Sequence, residues 1–248
     1  MKYEEITSQA TAEWANMTSG RVPLVRIGTA MCGHAAGAFR VVKALQKYLD
    51  SKGLKANIQE VGCLGLCYAE PLLDIKKPGK SRLFFNNVTP EEIEYIVDEY
   101  LINEGYPKEK VFGYIGEEGS VNGEDSLESM PGLKLQNRIA LRNAGHTSPH
   151  DINQYIANGG YAGLYKALTD MSPSEVIDEV KNSGLRGRGG AAFPTGVKWS
   201  FLVGSPGPTK YILCNCEEGD PGAYNDKGIL ESDPHTLLEG LAIAGYAT

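Results

Sequence analysis

Residues 183–199 read Ser183-Gly-Leu-Arg-Gly-Arg-Gly-Gly-Ala-Ala-Phe-Pro-Thr-Gly-Val-Lys-Trp199. Glycine crowds this stretch and again Gly219–Gly228, in a chain with 30 glycines, so the backbone there bends tightly or approaches something closely. Gly187–Ala192 satisfies the string G-x-G-x-x-[GA]. Its context is not that of a dinucleotide fingerprint. The capping box Ser172-Pro173-Ser174-Glu175 puts a helix rather than a strand ahead of it, and no acidic residue stands about twenty positions on. The physical content that remains is a row of amides without side chains, able to line a phosphate or a flat ring, with Arg186, Arg188 and Lys198 around it. The competing reading is a flexible surface loop with solvated charges.

Outward from the loop, a short helix is expected around Lys198–Leu202. Lys210–Cys216 is an apolar run typical of a buried parallel strand. Asn215, Glu217, Glu218 and Asp220 would then stand at its carboxyl end, where open α/β sheets bind ligands. Their amide and carboxylate groups can accept hydrogen bonds from ribose or ribityl hydroxyls; the alternative is an acidic loop in water. In such a strand Cys214 and Cys216 point to opposite faces and cannot share one ion. A further helix begins at Pro234. His146, His150 and His235 are isolated and read as structural or solvated.

The first hundred residues form a different unit. Pro23–Thr29, Ala56–Val61, Leu72–Ile75 and Arg82–Phe85 read as strands, with a loop at Ala30–Gly37. Val41, Ala44, Leu45, Tyr48 and Leu49 recur at helical spacing before Gly53. Thr89-Pro90-Glu91-Glu92 is a capping box opening a second stripe through Ile93, Ile96, Val97, Tyr100 and Leu101. Two helices and four strands suggest a thioredoxin-like layer over residues 1–105. Residues 106–134, rich in Gly, Glu and Ser, read as a linker to a second unit over 135–248.

Composition narrows the class. A formal net charge of -7 argues against a nucleic-acid surface, and no apolar run is long enough for direct membrane insertion. Five cysteines do not make a disulfide framework, nothing resembles a signal peptide, and the chain reads as cytoplasmic.

Taken together, Ser183–Trp199 resembles the flavin loop of the NADH-dehydrogenase flavoprotein subunits, which include the FMN subunit of respiratory complex I and its relatives in soluble hydrogenases and formate dehydrogenases. Cys214-Asn-Cys-Glu-Glu-Gly-Asp-Pro-Gly-Ala-Tyr-Asn-Asp226 resembles that family's second motif, and Ile152–Leu168 fits the segment before the loop. The likeness implies an incomplete Rossmann-like α/β FMN-binding domain behind the thioredoxin-like one. It implies FMN held by Gly187, Arg188, Gly189, Gly190, Lys198, Asn215, Glu217, Glu218 and Gly219. It places a nicotinamide nucleotide, NADH or NADPH, near Phe193, Lys198, Phe201 and Asp220. Hydride would pass between nicotinamide and FMN, and single electrons onward to the iron–sulfur subunits of a multisubunit oxidoreductase; no side chain need act as acid or base. Three residues depart from the pattern: Ala192 replaces a third glycine, Asp220 a Glu, and Glu217 an Asp.

Cys32 and Cys63-Leu-Gly-Leu-Cys67 resemble the thioredoxin-like [2Fe–2S] ferredoxin pattern, but its second position falls on Gly37. Three of four ligands remain, and His34 lacks the family's spacing, so the domain reads as degenerate, kept for packing or partner contact. The family's later ubiquitin-like region and four-cysteine [4Fe–4S] domain are absent, and Leu237–Thr248 is followed by no strand. The sequence therefore reads as a fragment, inactive alone, of an FMN-dependent NAD(P)H dehydrogenase subunit. A cofactor-free assembly module with a vestigial thioredoxin-like domain is the alternative, and a one-cluster electron carrier is a third reading.

Overall fold

A computed structural model describes residues 2–116, 121 and 123–248. After α1 (Tyr3–Ser19) come β1 (Leu24–Gly28), α2 (Met31–Ala36), α3 (Ala38–Lys52), β2 (Asn57–Val61), β3 (Leu73–Lys76) and β4 (Arg82–Phe85). Next is α4 (Ile93–Val97), entered by a 3-10 turn at Pro90–Glu92 and continued by a π turn at Asp98–Ile102, and then β5 (Val111–Ile115). The sheet order is β2-β1-β3-β4-β5, with β1 and β2 parallel and every other pair antiparallel. Helix α3 makes the crossover that a parallel pair requires. This βαβ–ββα order is the thioredoxin-like layer.

Strand alternation gives the sheet two unlike faces. Val25, Ile27, Leu73, Ile75, Leu83 and Phe85 pack on Val41, Leu45 and Leu49 of α3 and on Ile93, Ile96 and Val97 of α4. Helix α3 ends at Gly53, whose φ of +64° lets its N–H reach the Leu49 and Asp50 carbonyls. Both bonds of the Thr89–Glu92 capping box form. The opposite face carries Arg26, Asp74 and Arg82, all buried. Arg82 grips Asp74 with two hydrogen bonds, Nε to Oδ1 at 2.7 Å and Nη2 to Oδ2 at 2.6 Å. It also donates to the Gly145 carbonyl and, through Nη1, to His146 Nδ1 at 2.9 Å.

Two expectations for this half are corrected, and one helix was not foreseen. Ala30–Gly37 is not a loop but mostly α2, closed by Gly37 at φ +99°, whose N–H bonds the Gly33 and His34 carbonyls. Residues 106–134 are not simply a linker. Val111–Ile115 completes the open edge of β4 as a fifth strand, and Leu127 is fully buried beside Leu64, Leu66 and Phe84. Gly113 breaks the alternation that would have announced this strand, because the Asp125 carbonyl and the Leu127 side chain crowd the place of its side chain. Residues 117–120 and 122 of that segment lie outside the described residues. Helix α1 gave no signal because it carries no apolar stripe: Ala10 is its one buried residue, while the Tyr3 hydroxyl donates to the Gly160 carbonyl and its ring stacks on Tyr165 at 4.5 Å.

The second half contains α5 (Pro131–Lys134), α6 (Ile152–Ala157), α7 (Ala162–Asp170), α8 (Pro173–Asn182), α9 (Thr195–Gly204), α10 (Asp226–Ser232) and α11 (Pro234–Ala247). Ala167, Val176, Ile177 and Ala247 form its small core. The strand expected at Lys210–Cys216 does not form. The segment finds no ladder partner among the described residues, and Tyr211 and Leu213 are 75% and 87% exposed. Among the described residues this half therefore holds helices and loops and no strand, where an incomplete Rossmann-like α/β unit was expected.

Leu45→Ala should lower unfolding free energy by about 2–5 kcal/mol, whereas Leu213→Ala should change it by less than about 0.5 kcal/mol; urea denaturation measures both. Burial, reinforced by Arg82, Arg26 and Arg138, pushes His146 down to about 3. The unfolded chain accepts this proton near pH 6.5 and the folded chain refuses it until about 3, so stability should fall as pH drops through that window. His146→Asn should flatten that dependence in denaturation curves taken from pH 7.5 to 4.

Candidate functional site

The glycine loop is a closed neck with an open crest. An antiparallel bridge joins Arg186 to Pro194, and the neck is held by Gly187 N–H to the Phe193 carbonyl at 2.8 Å and Thr195 N–H to the Leu185 carbonyl at 2.9 Å. Arg186 Nη1 ties the far side by donating to the Ala192 carbonyl at 3.1 Å. Between these ties, the amides of residues 188–192 have no hydrogen-bond partner among the described residues. Gly190 takes φ +101°, and Ala192 is held at φ +50°, where a glycine would cost less. The loop is anchored below by Gly196, where a side chain would meet Lys181 backbone nitrogen at 2.6 Å, so α9 packs tightly on the end of α8.

A cavity of about 670 Å³ opens beside the crest. Of the expected residues, Gly187, Gly189, Phe193 and Lys198 line it, joined by Trp199, Leu202 and Tyr211–Leu213. A side chain on Gly189 would meet nothing within 4 Å, so its backbone is open to a ligand. Arg188 and Gly190 belong to the crest without lining the cavity, and the Phe201 ring lies 6.1 Å from that of Phe193. Trp199 and Tyr211 were not foreseen as lining. Trp199 closes the glycine-loop motif without an assigned role there, and Tyr211 was hidden in a run read as strand.

The acidic loop stands apart. Asn215, Glu217, Glu218, Gly219 and Asp220 are not among the residues lining that cavity. The Glu218 carboxylate accepts the amides of Asn225 at 2.6 Å, Asp226 at 3.1 Å and Lys227 at 3.0 Å, which caps α10. Asn215 Oδ1 accepts the Glu217 amide at 3.0 Å, and the Asp220 carbonyl accepts the Ala223 amide in a turn. Cys214 and Cys216 correct the sequence reading. Their sulfurs lie 3.2 Å apart, because the segment is not a pleated strand that would separate them.

In the first domain, Cys32, Cys63 and Cys67 offer sulfurs within 4.8 Å of one another. The Gly65 amide donates to Cys63 Sγ, and the Cys63 and Cys67 sulfurs are 3.8 Å apart. The Cys63 thiol holds Cys32 down to about 6, while Cys63 is pushed up by its interaction with Cys32 and by burial, and Cys67 chiefly by burial. Burial raises the adjoining Glu70 to about 7. Gly37 serves as the turn between α2 and α3, against the Arg40 guanidinium. The His34 ring packs edge-on to Phe39 at 5.0 Å. His235 is structural, its Nδ1 3.0 Å from the Tyr161 hydroxyl and its ring against Tyr155.

Residues 180–248 match the Nuo51 FMN-binding domain. The match begins within α8 and includes both loops. Over 114 residues the chain is 55% identical to the NADP-reducing hydrogenase subunit HndC of Solidesulfovibrio fructosivorans, covering 46% of this chain and 23% of that protein. It is 50% identical over 109 residues to the F 2 subunit of NADH-quinone oxidoreductase of Rhizobium meliloti, covering 44% of this chain and 26% of that one. The aligned part therefore spans about a quarter of these curated relatives. Among solved structures, a thioredoxin-like [2Fe–2S] ferredoxin of Aquifex aeolicus aligns with a TM-score of 0.35 at 15% identity, over 41% of this chain and 99% of that one.

If Glu218 is committed to α10, Glu218→Ala should speed amide hydrogen exchange at residues 225–227 while leaving α8 and α9 unchanged. Exchange indistinguishable from the parent chain would show that the carboxylate is not the cap.

Proposed function

We propose that this chain is the FMN-binding, NAD(P)H-interacting part of a subunit of an iron–sulfur oxidoreductase complex. The observation that carries the reading is the row of unpartnered amides at 188–192, set beside a cavity lined by Lys198, Phe193 and Trp199, inside the segment that matches the Nuo51 FMN-binding domain. These residues fit a phosphorylated flavin. Bare amides and an ammonium suit a phosphate, the aromatic side chains suit a flat ring, and about 670 Å³ lies within the usual range for ligand sites. Bound FMN would supply hydride exchange with a nicotinamide and single-electron exchange with iron–sulfur partners. The protein's own part is positional: the Arg186–Pro194 neck fixes the crest, Gly189 lets the backbone approach, and Lys198 neutralises charge. Arg188, Gly190, Phe201 and, from the acidic loop, Asn215, Glu217, Gly219 and Asp220, the last toward the nucleotide ribose, complete the proposed contacts, while Glu218 holds α10 beneath them.

The thioredoxin-like domain supports the same assembly as a docking unit toward partner iron–sulfur subunits. Its three clustered thiols fit three of the ligands of a [2Fe–2S] centre, and in the sequence resemblance the remaining ligand position falls on Gly37. We place the [4Fe–4S] centre outside this chain. No described helix is long and apolar enough to cross a membrane, and the five free cysteines suit a cytoplasmic setting.

The gene product, purified anaerobically with its co-purifying subunits and then denatured, should release FMN; release of no flavin contradicts the proposal and favours an assembly module. Lys198→Ala should weaken FMN or nicotinamide-nucleotide binding about 10- to 100-fold; unchanged affinity for both removes its assigned role. On anaerobic reconstitution, Gly37→Cys should gain the iron and sulfide of a [2Fe–2S] centre that the parent chain fails to hold. Equal iron in both would show that the three native thiols suffice.

A further inference from the structure

The thiols of the first domain are one short of a [2Fe–2S] set, and they converge more tightly than such a centre asks. Cys32 lies in the first turn of α2, shortly after β1, and Cys63 and Cys67 stand in the connection that follows β2. Gly65, at φ +92°, curls that connection and brings the Cys63 and Cys67 sulfurs to 3.8 Å. Cys32 joins them, so that all three sulfurs lie within 4.8 Å of one another. A two-iron centre takes its four thiolates in two pairs, one on each iron, with the width of the cluster between the pairs. Here the sulfurs form a single set, not a pair and a distant third. Gly37 supplies no fourth thiol, and a side chain there would meet the Arg40 guanidinium at 2.9 Å.

Thiolates about 2.3 Å from one tetrahedral ion lie about 3.8 Å from each other, and the Cys63 and Cys67 sulfurs already stand at that spacing. The Gly65 amide, donating to Cys63 Sγ at 3.2 Å, favours a negative sulfur. We infer that Cys32, Cys63 and Cys67 hold a single Zn²⁺ ion, with water in the fourth position. Thiolates select soft ions of this kind, and three protein ligands with one open position is an established zinc geometry. Cys67 is exposed, so the open position faces solvent. Binding releases the three thiol protons to solvent and leaves a site with one net negative charge. The ion also braces the contact with the second half. Met31, next to Cys32, donates its amide to Glu231 of α10 at 2.9 Å, and a side chain on Gly62, next to Cys63, would strike Ser232 of the same helix. The site stands independently of the glycine loop and its flavin.

Co²⁺, titrated into the reduced full chain under anaerobic conditions, reports the site through its thiolate charge-transfer and tetrahedral ligand-field bands. One equivalent should bind, Zn²⁺ should displace it, and the metal-bound chain should melt at a higher temperature than the metal-free chain. Disturbing the partners of a ligand costs about 10- to 100-fold in metal affinity, so removing a ligand by Cys32→Ser, Cys63→Ser or Cys67→Ser should cost at least about 100-fold. The exposed Cys67 carries the test if the other two variants do not fold. Cys214→Ser and Cys216→Ser, which alter the other close pair of sulfurs, should leave binding unchanged. Absence of a saturable Co²⁺ band overturns the site. So does binding that survives Cys67→Ser but is lost in Cys214→Ser, and so does a native chain that takes up paired iron and sulfide on reconstitution, which would make the centre a two-iron one.

Discussion

The buried pairing of Arg82 with Asp74 is the interaction on which the arrangement of the whole chain depends. It lies on the sheet face opposite the main core, where β3 and β4 bring an acid and a base into register. The remaining arms of the same guanidinium reach Gly145 and His146, so the segment leading to the second half is pinned to the first domain. A buried pair of this kind adds little net stability over an apolar substitute but is costly to break. Its value here is positional: it fixes where residues 143–147 cross the sheet. From there, Asn143 reaches Asp233 at 2.8 Å and ties the start of α11 to the same place.

The second half is organised by close backbone approach. Gly196 lets α9 sit on the end of α8, and Gly160 lies where a side chain would strike the Tyr155 ring. The same economy of side chains leaves the crest at 188–192 with free donors. A loop whose amides satisfied one another would be a plain connection. This one is closed at its neck and open at its tip, which is the property a phosphate-bearing cofactor needs.

The α/β character of the first domain was legible in the sequence because its signals are local: period-two strands, the Val41–Leu45–Leu49 stripe, and a capping box at Thr89. The fifth strand was not, because Gly113 interrupts its pattern and its stability comes from pairing with β4. Helix α1 was missed for a related reason, since aromatic stacking and hydrogen bonds hold it rather than an apolar stripe. In the site, the motif named the loop and Lys198, and these do share one cavity. The acidic residues were expected beside them both from the family's second motif and from a strand at Lys210–Cys216. Without ladder partners that segment turns its apolar side chains outward, and Glu218 instead caps α10.

The central claim is that the open amides at 188–192 receive the phosphate-bearing end of FMN. Hydrogen exchange resolved by mass spectrometry, with and without FMN, tests it most directly on the gene product stripped of flavin. The account predicts that FMN slows exchange in the peptide spanning 186–194, with no comparable change over the β1–β4 sheet. Exchange at 186–194 unaltered by saturating FMN would contradict it.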